Sequence, residues 1–469
     1  YTNTTGSQSV AVGNNSLYSN TTGGNNTAVG YLALQSNTTA SENSAVGYQS
    51  LYTNTTGTRN QAFGTYALHL NTTGNYNTAV GRGALINNTT ASNNTAVGYQ
   101  AGYSNTTGDL NTAVGKHALY ANTTGVSNDA FGGEALDANT TGNFNVSVGR
   151  ASLTTNTTGS NNTALGHASL GSNTTANDNT AVGYQSLTTN TTGTENVALG
   201  SNALRANTTA NYNTAVGYSS LYNNTTGGQN SALGTAALQA NTTGIRNTAL
   251  GWNALLNNTT AQGNTAVGAY AALANTTGAG NTFIGYDTAP TNTTGASNST
   301  LGAGSLHQNS TGNNNTALGK DALYYNTTAS SNTAVGYQSS YSNTTGSRNV
   351  AIGEVALQSN TTASRNVAIG RSALQNLNTT GETYNTAIGY NALASDTKGS
   401  LNTAIGTGSL QSQNFTSNTT AYNTAVGGYA GGNVTTGTYN TFIGGLAGNN
   451  TTTASDNTAV GYQALLTNT

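Results

Sequence analysis

The stretch Asn179-Thr180-Ala181-Val182-Gly183-Tyr184-Gln185-Ser186-Leu187-Thr188-Thr189-Asn190-Thr191-Thr192-Gly193 decides the fold, because it is one unit of a repeat. Asn-Thr-Thr returns at a constant interval, from Asn3 through Asn20, Asn37 and Asn54 to Asn360. That makes 22 copies in unbroken register, with one serine variant at Asn309-Ser310-Thr311. A fixed period in this range marks a solenoid, whose units cannot bury an apolar face alone and must stack on their neighbours.

Let the Asn of each Asn-Thr-Thr be position 0. Position 10 is then Gly in all 22 units, position 8 is Ala in 19, and position 14 is Leu in 18. Position 6 is nearly always Asn, as in Asn26, Asn43, Asn60 and Asn77, and position 9 is always large and apolar, as in Val29, Phe63, Leu165 and Ile284. Positions 7 and 9 share one face of a strand because side chains alternate. The glycine that follows suits a turn with positive φ or a close backbone approach. A second short extended segment is expected around Ala33-Leu34, and Asn-Thr-Thr-Gly supplies the other corner. Gly and Asn recur too often for a helix. The predicted class is therefore all-β: a parallel β-solenoid, or β-roll, of about 22 regular 17-residue coils followed by irregular coils. Residues 1–375 form the regular array, and 376–469 continue it with longer loops.

Charged side chains keep to the variable slots. Glu42, Arg59, Asp109, Glu195, Arg246 and Arg365 fall at positions 4 and 5, and Arg82, Lys116, Glu134 and Lys320 at 11 and 12, so these slots should face solvent. Only 5% of the chain is charged and the formal net charge is -2, which excludes the basic footprint of a nucleic-acid binder. Cysteine is absent, so disulfides and thiolate chemistry play no part. No apolar stretch approaches the ~20 residues of a membrane span, so no membrane insertion is expected in this segment. A repeated face also argues against an enzyme, which needs one unique constellation. The four histidines, His69, His117, His167 and His307, share no coil, so neither a metal nor another cofactor is expected.

Three candidate sites remain. Position 8 stays small in almost every unit while pointing away from the apolar residue at position 9, which is expected to fill the core with Leu34. The stripe Ala28, Ala45, Ala62, Ala79 and Ala96 is thus a candidate chain-chain interface, a crowded corner within one coil being the other account. Each Asn-Thr-Thr is also an N-glycosylation sequon, making Asn3, Asn20, Asn37, Asn54, Asn71, Asn88, Asn105, Asn122, Asn139 and Asn156 candidate acceptors. Against that, coils only ~4.8 Å apart crowd neighbouring sugars, and identical Asn residues can stack as amide ladders. Finally, files of tyrosine (Tyr31, Tyr48, Tyr99 and Tyr184; Tyr18, Tyr52 and Tyr120) could stiffen the roll or meet carbohydrate.

The unit Asn349-Val350-Ala351-Ile352-Gly353, repeated from Asn366 to Gly370, resembles the head repeat of YadA-type trimeric autotransporter adhesins. The run from Asn179 to Leu187 is also similar to repeats in bacterial and phage trimeric fibre proteins. The resemblance covers essentially the whole chain through a short motif, and those adhesin heads have shorter coils. It implies a homo-oligomer, with a trimer favoured, or a filament. It also implies an extracellular or cell-surface location and the role of a structural fibre or adhesin shaft, with surface carbohydrate as a possible partner. The alternative is a ligand-binding solenoid that meets ice or carbohydrate through Thr or Tyr ladders. Adjacent Thr residues point to opposite faces, which weakens the ice reading.

Overall fold

The computed structural model describes residues 3–467. These residues hold 27 three-residue parallel strands plus one two-residue pair, and no helix. They divide into two compact units, one ending at Asn230 and the other beginning at Ser231. In the first unit, strands from Val10–Val12 to Thr214–Val216 pair one repeat apart, as in Thr27↔Ser44, Ala28↔Ala45 and Val29↔Val46. The second unit, from Ser231–Leu233 to Thr458–Val460, uses the same register, as in Thr248↔Thr265.

The irregular spacing expected after residue 375 comes from two insertions. Val367 pairs with Thr386 and Thr403 pairs with Thr424, both steps being longer than the regular repeat. The regular step returns between and after them, at Thr386↔Thr403, Thr424↔Thr441 and Thr441↔Thr458. The longer second step adds a small ladder, with Thr419–Thr420 paired to Gly399–Ser400 of the preceding regular coil.

Backbone hydrogen bonds join neighbouring coils at several places around each turn. Thr21 N donates to Thr38 O (2.8 Å), Thr27 N to Asn43 O (2.8 Å), Leu34 N to Ser50 O (2.9 Å) and Gly30 N back to Val12 O (2.8 Å). The invariant glycine is fixed twice over. Gly30 has φ 138, and a Cβ there would lie 2.4 Å from Gly47 O in the next coil. The segment around Ala33-Leu34, expected to be extended, is a turn instead: Leu32 and Leu34 have φ 57 and 53. A left-handed leucine costs about 1–2 kcal/mol, which full burial of its side chain, at about 2 kcal/mol, offsets.

The interior corrects one expectation directly. Ala28, Ala45, Ala62, Ala79 and Ala96 are completely buried within their own chain. They pack inside with Ala33, Leu34 and their equivalents, while Val46, Phe63, Val80 and Val97 at position 9 are 36–41% exposed. Alternation along the strand holds, but its phase is the reverse of that anticipated. The small stripe therefore cannot be a surface that meets another chain. It stays small because a three-residue strand faces the leucine turn across a narrow coil.

The exceptions obey the same volume rule. Phe283 replaces Ala at position 8, where Ala272 and Ala289 replace Leu in the preceding coil and its own. Phe442 does likewise, and a Cβ on Gly448 or Gly431 would come within 2.4 or 2.8 Å of its ring. The polar residues at position 8 are paired: Ser147 Oγ lies 2.5 Å from Ser152 Oγ, and Thr300 Oγ1 lies 2.8 Å from Thr288 Oγ1. A buried hydroxyl without a partner would cost about 1–3 kcal/mol.

Candidate functional site

The sequons lie on the inside of the coil. Asn20, Asn37, Asn54, Asn71, Asn88, Asn105, Asn122, Asn139 and Asn156 are all buried, whereas Asn3 is exposed. Asn37 Nδ2 donates to Asn20 Oδ1 (2.8 Å) in the preceding coil and to Ala40 O (2.9 Å), while Asn54 Nδ2 donates to Asn37 Oδ1 (3.1 Å). Both N–H bonds of such an amide are consumed, so it offers no nucleophile to a glycosyl donor in the folded chain. The second asparagine file is equally buried: Asn43 N donates to Asn26 Oδ1 (3.0 Å), and Asn43 Nδ2 to Gly57 O (2.9 Å). Asn recurs here because a buried corner needs donors and acceptors repeating with the coil.

The insertions shift this phase. Position 0 is occupied by Leu377, Asp396, Gln413, Val434 and Thr451, all buried. The neighbouring Asn378, Asn414, Asn433 and Asn450 are exposed, because a one-residue slip turns a side chain from the inside to the outside. Asp396 lies inside the coil, and burial pushes its carboxyl up to about 6.

Two surface features repeat with the coil. The first is the outer strand face, with Thr at position 7 and a large apolar residue at position 9. Its apolar file includes Val80, Val97, Phe131 and Leu165 in the first unit, and Leu233, Leu250, Leu301 and Ile352 in the second, each 37–51% exposed. Asp129 is the single charged residue in the 27 three-residue strands. The second is the aromatic side. Tyr31 stacks on Tyr48 (5.4 Å), Tyr52 on His69 (5.2 Å), Tyr103 on Tyr120 (5.0 Å) and His307 on Tyr324 (4.6 Å). Burial raises the Tyr341 hydroxyl to about 12, helped by its hydrogen bond to Tyr325. Charged ladders cross the coils at position 5, where Arg59 Nε meets Glu42 (2.9 Å) and Arg365 Nε meets Glu382 (2.7 Å).

The chain matches no protein-family model, and no curated protein matches it. Among the described residues, no three His, Cys, Asp or Glu side chains gather into a possible metal site, and no helix is long and apolar enough to cross a membrane. The histidines, read from sequence as unrelated to one another, each join a local stack or hydrogen bond, as with His117 Nε2 and Gln100 Oε1 at 3.1 Å. The outer apolar file escaped sequence reasoning because its residues resemble core residues. The signal that could have found it was the Phe-for-Ala exchange at positions 283 and 442, which occurs only where the facing turn loses its leucine.

Proposed function

We propose that this chain is a structural shaft, without catalysis, that associates with copies of itself through the outer strand face. One observation carries the proposal: a file of valine, leucine, isoleucine and phenylalanine is exposed or half-buried, and never fully buried, in coil after coil on a face with a single charge. Contiguous exposed apolar surface of this kind marks an interaction site. A second copy is the occupant that matches it, because its own file repeats at the same spacing and carries no charge needing a complement. A trimer at the cell surface or outside the cell follows from the likeness of Asn349 to Gly353 to YadA-type head repeats.

The test is light scattering on the wild type and on Val80→Lys/Val97→Lys. Both side chains point outward, so the double variant should keep its β-sheet circular dichroism and fall apart into monomers. A monomeric wild type, or an unchanged oligomer in the variant, overturns the reading. The same face also gives the ligand-binding alternative specific support, since Thr27 and Val29 alternate on in-register rows ~4.8 Å apart. A monomeric wild type that lowers the freezing point of water without lowering its melting point would favour that alternative.

A further inference from the structure

A hollow of about 200 Å³ opens on the aromatic side of the second unit, bounded by Tyr286, Asp287, His307, Lys320, Asp321 and Tyr324. It spans three successive coils, with Asp287, Gly304 and Asp321 at position 12 of each. Gly304 creates the space: a Cβ there would lie 2.6 Å from Asp321 Oδ1 and 3.6 Å from the Tyr324 ring. The walls are held in place. His307 stacks flat on Tyr324, 4.6 Å apart at 7°, and its Nε2 meets Asp287 Oδ2 at 3.1 Å. Its Nδ1 is buried with no hydrogen-bond partner among the described residues. Tyr286, at the rim, is 62% exposed.

The chemistry of the walls selects the ligand class. An anion would meet two carboxylates, and an organic cation would meet Lys320. A purely apolar guest would leave charged groups desolvated and unpaired, which is costly. A polyol satisfies all of them, because each hydroxyl both donates and accepts. Aromatic faces suit the C–H side of a sugar ring, since Tyr combines an apolar body with a polar tip. The volume lies below the ~300 Å³ lower bound of drug-sized pockets, so it suits one ring rather than a chain. We propose that this hollow is a binding site for a single neutral pyranose, contacted through Asp287, Asp321 and Lys320 over a tyrosine floor. The site is independent of the shaft reading and would stand if self-association failed.

Saturation-transfer NMR with methyl β-D-galactopyranoside and methyl β-D-glucopyranoside tests it on the full chain. The wild type should transfer saturation to ring C–H protons of at least one glycoside. Asp321→Asn should weaken binding about tenfold, the effect of one lost charge-assisted hydrogen bond. Gly304→Asn should abolish binding by filling the hollow, and it tolerates the local φ of 66, since Asn391 holds φ 55 at the same position. Glu354→Gln, on the exposed surface of another coil, should leave binding unchanged. Circular dichroism confirms that each variant is folded. No transfer from the wild type to either glycoside, or equal transfer in all variants, overturns the proposal.

Discussion

Gln413 Nε2 donates to Asp396 Oδ2 at 2.9 Å in the interior file where every regular coil carries asparagine. The preceding coil places Leu377 in that file, so it offers no acceptor to a side-chain amide. A carboxylate needs none, because it only accepts. Asp396 takes hydrogen bonds from Gly399 N (2.9 Å) and Gln413, and Gln413 Oε1 accepts from Asn423 Nδ2 (2.8 Å), which restarts the polar ladder after its apolar interruption.

The same placement makes stability depend on pH. Burial raises the folded-state value of Asp396 to about 6, above its ordinary value of 3.8. A raised value means that the folded chain holds its proton after the unfolded chain has lost it. Stability from this group is therefore complete below about pH 4 and is lost as pH rises to about 6, by about 3 kcal/mol in all. Asp396→Asn should remove this slope, while its amide N–H, left without an acceptor beside Leu377, offsets most of the gain at pH 8. Urea denaturation of both chains at pH 4 and pH 8 checks it; an equal pH slope in the two would refute the assignment.

Phe442→Ala and Phe283→Ala should each destabilise by about 3–5 kcal/mol, because each ring fills the space left by missing leucines. Adding Ala289→Leu to Phe283→Ala should recover at least half of the loss by restoring the regular pairing of a small strand residue with a leucine turn. Thermal melts of the single and double variants decide this, and strictly additive losses would count against volume exchange.

Two glycines separate backbone need from open space. Gly251→Ala places a Cβ 2.5 Å from Gly268 O at φ 138, and should cost about 2–4 kcal/mol. Gly133→Ala meets only Lys116 O at 3.9 Å, and should be neutral or stabilising by about 0.5 kcal/mol. Differential scanning calorimetry on the pair gives the comparison, and equal effects would contradict it.

Asn139→Ala breaks the ladder where Asn139 Nδ2 bonds Asn122 Oδ1 (2.8 Å) and Gly142 O (3.0 Å) and where Asn156 Nδ2 bonds Asn139 Oδ1 (3.0 Å). It should cost about 3 kcal/mol through stranded buried partners. In the folded chain, a purified oligosaccharyltransferase should leave Asn20 to Asn156 of this file bare and act instead on exposed sequons such as Asn378 and Asn433. Peptide mass mapping after the reaction shows which asparagines carry sugar, and hexose on most of the buried file would disprove the ladder.

The sequence by itself determined the repeat period, the strand at Thr-Ala-Val, the obligatory glycine after it and the stacking of asparagines, because each depends on local geometry repeated at a fixed interval. It also determined that Ala28 and Val29 face opposite ways. Which of the two lies inside was decided only by the tertiary structure. The left-handed turn at Leu32 and Leu34 swings Leu34 across the coil, and the two amide ladders fill the remaining corner. What space is left opposite the strand admits a methyl or a hydroxymethyl group, as at Ser147, and an aromatic ring only where the leucine is absent. The hollow at Gly304 likewise needed three coils brought side by side, since Asp287, Gly304 and Asp321 lie a full repeat apart in sequence and become neighbours only through stacking.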